Sequence, residues 1–291
     1  MKKLLFALTL ITVLFSNAQN RFDNVEIITH EVNQNVYMLE GAGGNILLQV
    51  GESEVVMIDS QYAPLSDKLK KEIARITDKP LTYLINTHHH GDHTGGNENF
   101  NTDQVTIIAH TNVMKRLTES EKSKGFLPEK VLEEAYELSL VDENNLIIHV
   151  HHAHTDGDSF VYLTKNNVVH TGDVYFNGSY PFIDLNSGGS ITGYIKAQKQ
   201  ILTTINEKTK IVPGHGAIAS YNDLADYIPM LVDLKTQIQK EISDGKTREQ
   251  VEKNNSITKK YDAEGFGDGY ISPEKIRTII YDSLILEATH K

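Results

Sequence analysis

Short apolar runs separated by turn-forming residues dominate the first part of the chain. The runs lie at 25–29, 35–39, 45–50 and 54–58. Because they are rich in β-branched residues and alternate with Gly-, Asn- and Ser-rich turns, they predict short strands paired as hairpins in one sheet. Between 65 and 76 the apolar residues recur every three or four positions, which predicts a helix from about Pro64 to Thr77.

From residue 81 onward, predicted strands alternate with predicted helices. Strands are expected at 81–86, 105–109, 145–150 and 210–212, a hairpin at 159–169, and helices at 112–117, 191–205, 221–242 and 273–286. A β-rich half followed by a strand–helix half indicates one layered α/β domain. We expect the charged segment 119–138 to be helical in its second half and to form a surface insertion or a lid. Residues 246–270 are polar and rich in glycine.

The N-terminus has the pattern of a secretory signal peptide. Lys2 and Lys3 precede an apolar run at 4–15, and small residues follow at Ser16 and Ala18. The run is shorter than the roughly 20 residues that a membrane crossing needs, and a buried helix or a membrane anchor is the alternative interpretation. We therefore expect residues 1–18 to be removed. The mature chain, residues 19–291, is then a single domain that is periplasmic or secreted and has no membrane anchor.

The amino-acid composition limits the partners and the catalytic groups that the protein can use. The net charge is −11, or −13 without Lys2 and Lys3, so the chain repels nucleic-acid phosphates and we expect a small-molecule substrate as its partner. The absence of Cys excludes disulfides, thiolate metal sites and cysteine nucleophiles. Catalysis must therefore use imidazoles, carboxylates or hydroxyls.

A histidine cluster follows the strand predicted at 81–86. It reads Thr87-His88-His89-His90-Gly91-Asp92-His93. In an extended segment His88 and His90 point the same way, and Gly91 permits a sharp turn that presents Asp92 and His93 nearby. Neutral imidazoles and carboxylates are ligands of divalent zinc, iron or manganese. This spacing therefore predicts a metal site.

Three further candidate ligands each follow a strand and lie in a Gly-bearing loop. They are His154 in Ala-His-Thr-Asp-Gly-Asp, Asp173 in His-Thr-Gly-Asp and His215 in Pro-Gly-His-Gly. Loops held at the ends of rigid strands are a common location for site residues. Alone, each is more often structural. With the first cluster they form a set of five histidines and two aspartates.

These motifs, in this order, resemble those of the metallo-β-lactamase superfamily over residues 25–220, with the C-terminal helices as an extension. The resemblance implies a four-layer αβ/βα sandwich with metals at one edge, between two sheets. It also implies a set of metal ligands. His88, His90 and His154 would hold one ion, Asp92, His93 and His215 would hold a second, and Asp173 would bridge the two.

Asp173 separates branches of that family. The best-known β-lactamases have Cys at the corresponding position, whereas a bridging Asp resembles glyoxalase II, lactonases and related hydrolases. The segments 180–184 and 186–190 resemble exported, uncharacterised members of this set. The family therefore indicates the fold more firmly than the substrate.

Our hypothesis is an exported hydrolase with two Zn²⁺ ions per chain. Hydroxide bridging the two metals would attack an ester, thioester, lactone or amide carbonyl, and Asp92 would orient that nucleophile or move a proton. One alternative is hydrolysis of β-lactams, and another is a mononuclear iron enzyme resembling persulfide dioxygenases. The donor set does not separate zinc from iron or manganese. A non-catalytic metal-binding protein is the third class.

Other histidines and aromatic residues near the motifs have weaker claims. Strand alternation points His89 away from the ligand face. Three more histidines follow the strand at 145–150 and could line the entrance, although a polar strand end is the simpler interpretation: His149, His151 and His152. Four aromatic residues could form walls of the pocket or pack in the core: Tyr175, Phe176, Tyr180 and Phe182.

Overall fold

Two β-sheets form the centre of the protein, which a computed structural model describes over residues 21–140 and 143–289. The predicted leader, residues 1–18, lies outside the described residues. The strands of the first sheet, in spatial order, are β1 (Ile28–Asn33), β2 (Val36–Glu40), β3 (Ile46–Val50), β4 (Val55–Ile58), β5 (Leu81–Ile85), β6 (Thr106–His110) and β7 (Lys130–Leu132). β1 to β4 pair antiparallel as predicted from their turns, and β4 to β7 pair parallel.

The second sheet has the spatial order β13-β12-β11-β10-β9-β8. Its strands are β8 (Ala135–Ser139), β9 (Asn144–His149), β10 (Ser159–Leu163), β11 (Val168–His170), β12 (Lys210–Val212) and β13 (Ala219–Ser220). β11 and β12 are parallel, and the other neighbours are antiparallel. The chain between β11 and β12 therefore crosses over the outer face of the sheet, where a helix covers it.

Helices occupy the outer faces of both sheets. Their bounds are α1 (Ser66–Ile76), α2 (Gly91–Thr94), α3 (Asn97–Phe100), α4 (Thr111–Glu119), α5 (Ile191–Thr204), α6 (Tyr221–Ser243), α7 (Arg248–Glu252), α8 (Lys259–Asp262) and α9 (Pro273–Thr289). In the part of the chain that the structure describes, no helix is both long enough and apolar enough to cross a bilayer.

Strand alternation divides the apolar residues among three buried layers. On β3, Leu47 packs between the two sheets, and its neighbour Leu48 packs under α1 on the outer face. The outer face of the second sheet packs against α5, α6 and α9, which together form the largest apolar cluster. The order is therefore helix, sheet, sheet, helix, and it confirms the four-layer αβ/βα sandwich.

The prediction for segment 119–138 is wrong. Its second half is not helical: Lys130–Leu132 joins the first sheet beside β6, and Ala135–Ser139 pairs with β9 at the edge of the second. Alternation in 135–139 exposes Ala135, Glu137 and Ser139 and buries Leu138, a strand pattern that charged residues obscure. The segment connects the two sheets, and none of its residues lines the candidate pocket described below.

The polar region 246–270 contains the short helices α7 and α8, which were not predicted. A fully buried guanidinium, that of Arg277 on α9, holds them together. It donates hydrogen bonds to the carbonyl of Glu252 at 2.9 Å, to the Thr258 hydroxyl at 2.6 Å and to the side-chain oxygen of Asn255 at 2.9 Å. Tertiary contacts therefore stabilise helices too short to form alone.

Candidate metal centre

The seven predicted ligands meet at the carboxyl ends of strands from both sheets. His88 and His90 follow β5, and His90 is the N-cap of α2, which carries Asp92 and His93. The sequence predicts that Gly91 permits a sharp turn here. However, Gly91 has no positive φ, and a Cβ there would meet nothing within 4 Å. A single helical turn presents the two side chains instead.

The second sheet supplies the other three ligands from its loops. His154 lies between β9 and β10, Asp173 follows β11, and His215 follows β12. Two groups of ligand atoms result. We call His88, His90 and His154 the three-histidine group, and Asp92, His93 and His215 the Asp92 group.

Asp173 lies between these groups and turns one carboxylate oxygen toward each. Oδ2 is 3.5 Å from Nε2 of His154 and 3.8 Å from Nε2 of His88. Oδ1 is 3.0 Å from Nε2 of His93 and 3.4 Å from Nε2 of His215. Zn–N and Zn–O bonds near 2.1 Å separate neighbouring tetrahedral ligand atoms by roughly 3.4 Å. The spacing therefore suits two ions that share Asp173.

Buried polar atoms without partners point into this space. In the described residues, Nε2 of His88 is buried without a hydrogen-bond partner, and Nε2 of His93 and Oδ1 of Asp173, which lie 3.0 Å apart, are buried without a well-aligned hydrogen bond. An unpaired buried polar atom costs about 1–3 kcal/mol, so such atoms usually have a partner. Divalent ions held by the two groups would provide partners for all three. The donor set, imidazole nitrogens with carboxylate oxygens, therefore fits a metal.

Hydrogen bonds outside the cluster fix which ring nitrogens face it. Nδ1 of His93 donates to Oδ2 of Asp59 at 2.7 Å, and Nδ1 of His154 donates to the carbonyl of Phe182 at 2.7 Å. Nε2 of His90 donates to Oδ2 of Asp184 at 3.0 Å. The opposite nitrogen of each ring therefore carries its lone pair toward the cluster, as a metal ligand must.

Electrostatics differ between the two groups. Burial lowers the pKa of His154 to about 4, although nearby Asp173 opposes this, and burial also holds the pKa of His88 well below its ordinary value. Burial acts in the same direction on His215, but Asp173 and Asp92 outweigh it and raise the pKa to about 9. The three-histidine group therefore includes neutral imidazoles. In the Asp92 group, carboxylates favour positive charge, which a metal ion supplies.

Two glycines allow the loops to approach this closely. A Cβ on Gly44 would overlap the imidazole of His93, and a Cβ on Gly214 would overlap Oδ1 of Asp173. Gly44 precedes β3 in the first sheet, and Gly214 follows β12 in the second. Any larger residue at either position would displace a candidate ligand.

A pocket of about 730 Å³ opens over the cluster. Phe176 stacks on His215 with ring centroids 5.1 Å apart, and Phe182 lies 5.6 Å from the ring of His154. On the opposite side, Tyr62 has its pKa raised by burial and by the charge of Asp92. The lining is Arg21, Ala42, Tyr62, His90, Gly91, Asp92, Asp173, Phe176, Ser179, Tyr180, Phe182, His215, Gly269, Tyr270 and Ile271.

The structure brings all seven predicted ligands together and leaves the other candidate histidines, His89, His149, His151 and His152, outside the pocket lining. His149 is buried and stacks on His110 with centroids 3.6 Å apart, and His152 donates from Nδ1 to the carbonyl of Gly188. The Nε2 atom of His89 lies 3.4 Å from the Ser187 hydroxyl. Tyr175 packs in the core, edge-on to Tyr227, whereas three of the four aromatic candidates line the pocket: Phe176, Tyr180 and Phe182.

Asp59 and Asp184 were missed as functional residues. Asp59 directly follows the buried strand β4 and has a positive φ of 65°, and it also accepts hydrogen bonds from Thr87. Its position directly after a predicted strand is the sequence signal that could have identified it as a site residue. Asp184 lies in the segment 180–184, but nothing in the sequence indicated that it accepts a hydrogen bond from His90.

Comparison with known proteins gives a family match over most of the described core. A family model described as the metallo-beta-lactamase superfamily matches residues 31–215. The Beta-lactamase-like protein 2 homolog of Caenorhabditis elegans is 25% identical over 185 residues, covering 63% of this chain and 56% of the relative. The chain thus spans little more than half the length of that curated relative.

Solved structures show the same fold. The DIM-1 metallo-beta-lactamase superposes with a TM-score of 0.62 at 19% identity, covering 72% of this chain and 98% of that one. The metallo-beta-lactamase from Pontibacter korlensis superposes with a TM-score of 0.63 at 15% identity, covering 72% of this chain and all of that one. At these identities the likeness extends to the fold alone.

Proposed function

The chain belongs to the metallo-β-lactamase superfamily, whose members are metal-dependent hydrolases, and from this premise we propose that it hydrolyses a carbonyl compound with two Zn²⁺ ions. The substrate class is an ester, thioester, lactone or amide. The observation that carries the proposal is the position of Asp173, whose two oxygens face two separate groups of candidate ligands. A carboxylate in that position can bridge two ions.

The position of each candidate ligand in the cluster determines which of the two ions it would hold. His88, His90 and His154 would hold one ion, and Asp92, His93 and His215 would hold the other, with Asp173 between them. When bound, two divalent ions would lower the pKa of water to about 7 and would polarise a carbonyl oxygen, which would permit hydrolysis at neutral pH. Asp173 would fix the separation of the two groups.

Asp92 is the candidate catalytic residue. Nearby His93 and His215 outweigh the effect of burial and lower the pKa of its carboxyl group, so it is ionised at neutral pH. Its side chain lines the pocket, and Oδ2 lies 3.4 Å from Nε2 of His215. In our proposal one oxygen of Asp92 would hold the ion together with His93 and His215, and the other would accept a proton from the attacking water and pass it to the leaving group.

Aromatic side chains would position the substrate and exclude water. Phe176 and Phe182 cover the rings of His215 and His154 on the pocket side. Apolar walls around a few polar groups are typical of small-molecule sites. The walls would therefore hold the substrate with its carbonyl group above the cluster.

The first test measures metal content together with hydrolysis. We expect elemental mass spectrometry of the purified full-length protein to find about two zinc ions per chain, and a panel of lactones, thioesters and β-lactams to show turnover that a chelator abolishes. His90→Ala should abolish this turnover. His30→Ala, which changes a histidine paired with Glu40 on the surface, is the matched control and should leave turnover intact.

Two results would contradict the proposal. One iron per chain with little zinc would favour oxygen chemistry, and wild-type turnover in Asp92→Asn would remove the assigned role of that carboxylate. Turnover confined to β-lactams would instead restrict the substrate class to the alternative considered above.

We also propose export. The pattern of residues 1–18 supports it, and N-terminal sequencing of protein from the periplasmic or secreted fraction should begin at Gln19. A chain that keeps Met1 and stays with the cytoplasm would contradict this.

A further inference from the structure

The segment 266–271 contributes Gly269, Tyr270 and Ile271 to an outer wall of the pocket, although it lies beyond the residues that the family model matches. We propose that Tyr270, at the tip of this segment, is a specificity-determining residue that contacts an aromatic group of the substrate. The inference rests on the proposed carbonyl hydrolysis and adds to it a substrate class: carbonyl compounds that carry an aromatic ring within two bonds of the reacting carbon.

The segment is held firmly against the loop 176–182, which forms the aromatic side of the pocket and is called the aromatic loop. The backbone N–H of Tyr180 donates to the carbonyl of Phe266 at 2.9 Å, and the Tyr180 hydroxyl donates to Oδ1 of Asp262 at 2.8 Å. The ring of Phe266 lies 5.9 Å from those of Tyr180 and Tyr227. The wall therefore has a fixed position relative to the metal centre.

The neighbours of Tyr270 are fixed as well. A Cβ on Gly269 would lie 3.0 Å from Cβ of Ser179, so the backbone passes close to the aromatic loop at this point. On the other side of Tyr270, Ile271 is 2% exposed. The backbone of Tyr270 is thus anchored at both ends, and its side chain projects from a rigid support.

The Tyr270 side chain is unusually exposed for an aromatic residue on a fixed segment. It is 88% exposed, whereas the other large exposed apolar side chains of the described residues range from 40% to 51%. An exposed ring on a rigid backbone offers a large contact area and loses little side-chain entropy on binding.

The ring of Phe182 lies between Tyr270 and the candidate ligands His90 and His154. The Tyr270 ring meets Phe182 edge-to-face with centroids 6.2 Å apart, and Phe182 lies 5.6 Å from His154 and 6.0 Å from His90. A ring attached next to a carbonyl group above the cluster would therefore reach the space beside Phe182 and Tyr270. Edge-to-face and offset contacts would stabilise an aromatic group there.

The charge of the lining also limits the substrate. Among the described lining residues, Arg21 is the single Lys or Arg side chain. A polyanionic group would lack partners at this wall, whereas a neutral ring or a ring with one carboxylate would not. The surface near Tyr270 therefore favours aromatic over highly charged substrates.

The test compares two lactones that share a six-membered ester ring. Dihydrocoumarin carries a fused benzene ring, and δ-valerolactone does not. We expect Tyr270→Ala in the zinc-loaded full chain to lower kcat/KM for dihydrocoumarin by roughly fivefold to tenfold, mainly by raising KM, with δ-valerolactone within about twofold of wild type. Tyr270→Phe should retain the preference. Ile28→Ala, a truncation at an exposed apolar residue that does not line the pocket, should leave kcat/KM for both substrates unchanged.

Binding of the ring-opened products separates failure of this inference from failure of the proposed function. Calorimetry would measure 3-(2-hydroxyphenyl)propanoate and 5-hydroxypentanoate on wild type and Tyr270→Ala. If Tyr270→Ala lowers kcat/KM equally for both lactones, or for neither, the proposed role of Tyr270 is overturned and the proposed hydrolase function is unaffected. If wild type turns over neither lactone, lactone hydrolysis fails, and the inference then stands only if Tyr270→Ala weakens binding of the aromatic acid alone.

Discussion

Carboxylates that accept hydrogen bonds from the candidate histidine ligands determine which ring nitrogen faces the metal site. Asp184 accepts backbone N–H groups of Asn186 and Ser187 on Oδ1 and the Nε2–H of His90 on Oδ2. Burial raises its pKa, but the hydrogen bonds from His90 and Ser187 outweigh burial and leave the pKa below the ordinary value. An ionised Asp184 therefore keeps Nδ1 of His90 unprotonated.

Replacing this carboxylate should weaken metal binding more than folding. In Asp184→Asn an amide N–H can donate to Nε2 of His90, which would move the ring proton to Nδ1 and block the ligand atom. We expect zinc affinity, measured by competition with a chromophoric chelator, to fall by roughly 10-fold to 100-fold. Asp103→Asn, at an exposed turn, is the control. Unchanged affinity in Asp184→Asn would exclude a positioning role.

At this scale the sequence indicated the candidate ligands better than the residues that hydrogen-bond to them from behind. His88 and His90 could be predicted because their spacing, with Asp92 and His93, is itself a pattern. Asp59 could not be identified as the partner of His93, since that contact joins positions 34 residues apart and depends on the turn after β4.

At the scale of elements, the C-terminal helices depend on one buried cation. Arg277→Met should leave the carbonyl of Glu252 and the side chains of Asn255 and Thr258 without their donor. We expect a loss of roughly 2–4 kcal/mol in the free energy of unfolding, measured by urea denaturation. Hydrogen exchange should accelerate in α7 and α8 before it does in the sheets.

Arg75→Met is the matched control for Arg277→Met, because Arg75 lies on the surface of α1 and pairs with Glu72. A surface pair contributes about 0–1 kcal/mol, so this variant should unfold near the wild-type midpoint. Equal destabilisation by both variants would contradict the assigned role of Arg277.

Elements built from local patterns were predictable, and those built from long-range pairing were not. Apolar periodicity is sufficient for α1, α5 and α6. By contrast, β7 and β8 are short and charged, and they are strands because β6 and β9 offer them open edges. The short helices α7 and α8 likewise depend on Arg277, a contact that no local pattern reveals.

At the scale of the whole molecule, the metal centre joins the two sheets. Its candidate ligands come from four stretches of chain, at 88–93, 154, 173 and 215, which lie on loops of both sheets. A single ion present at a free concentration a thousandfold above its Kd would stabilise the fold by about 4 kcal/mol. We therefore expect a chelator to lower Tm by roughly 10 °C, measured by calorimetry. A Tm insensitive to chelator would contradict a metal bound between the sheets.

The pH dependence of that melting experiment has a definite sign. In the metal-free chain the pKa of His215 is raised to about 9 from an ordinary value of 6.5. Protonated His215 stabilises this form fully below pH 6.5, and the contribution is lost as the pH rises through about 9. The Tm of chelator-treated protein should therefore fall between pH 7 and about 9.5 relative to that of zinc-loaded protein. The opposite trend would contradict the charge arrangement.

The division of the ligands between the sheets also has a consequence for when and where the metal is acquired. Neither ligand group is complete within residues 21–140, because the three-histidine group also needs His154 and the Asp92 group also needs His215. A chain that crosses a membrane before folding carries no preformed site. Its metal would then come from the compartment where both sheets dock. The ion found in the protein would report the metal supply of that compartment rather than the cytoplasmic one.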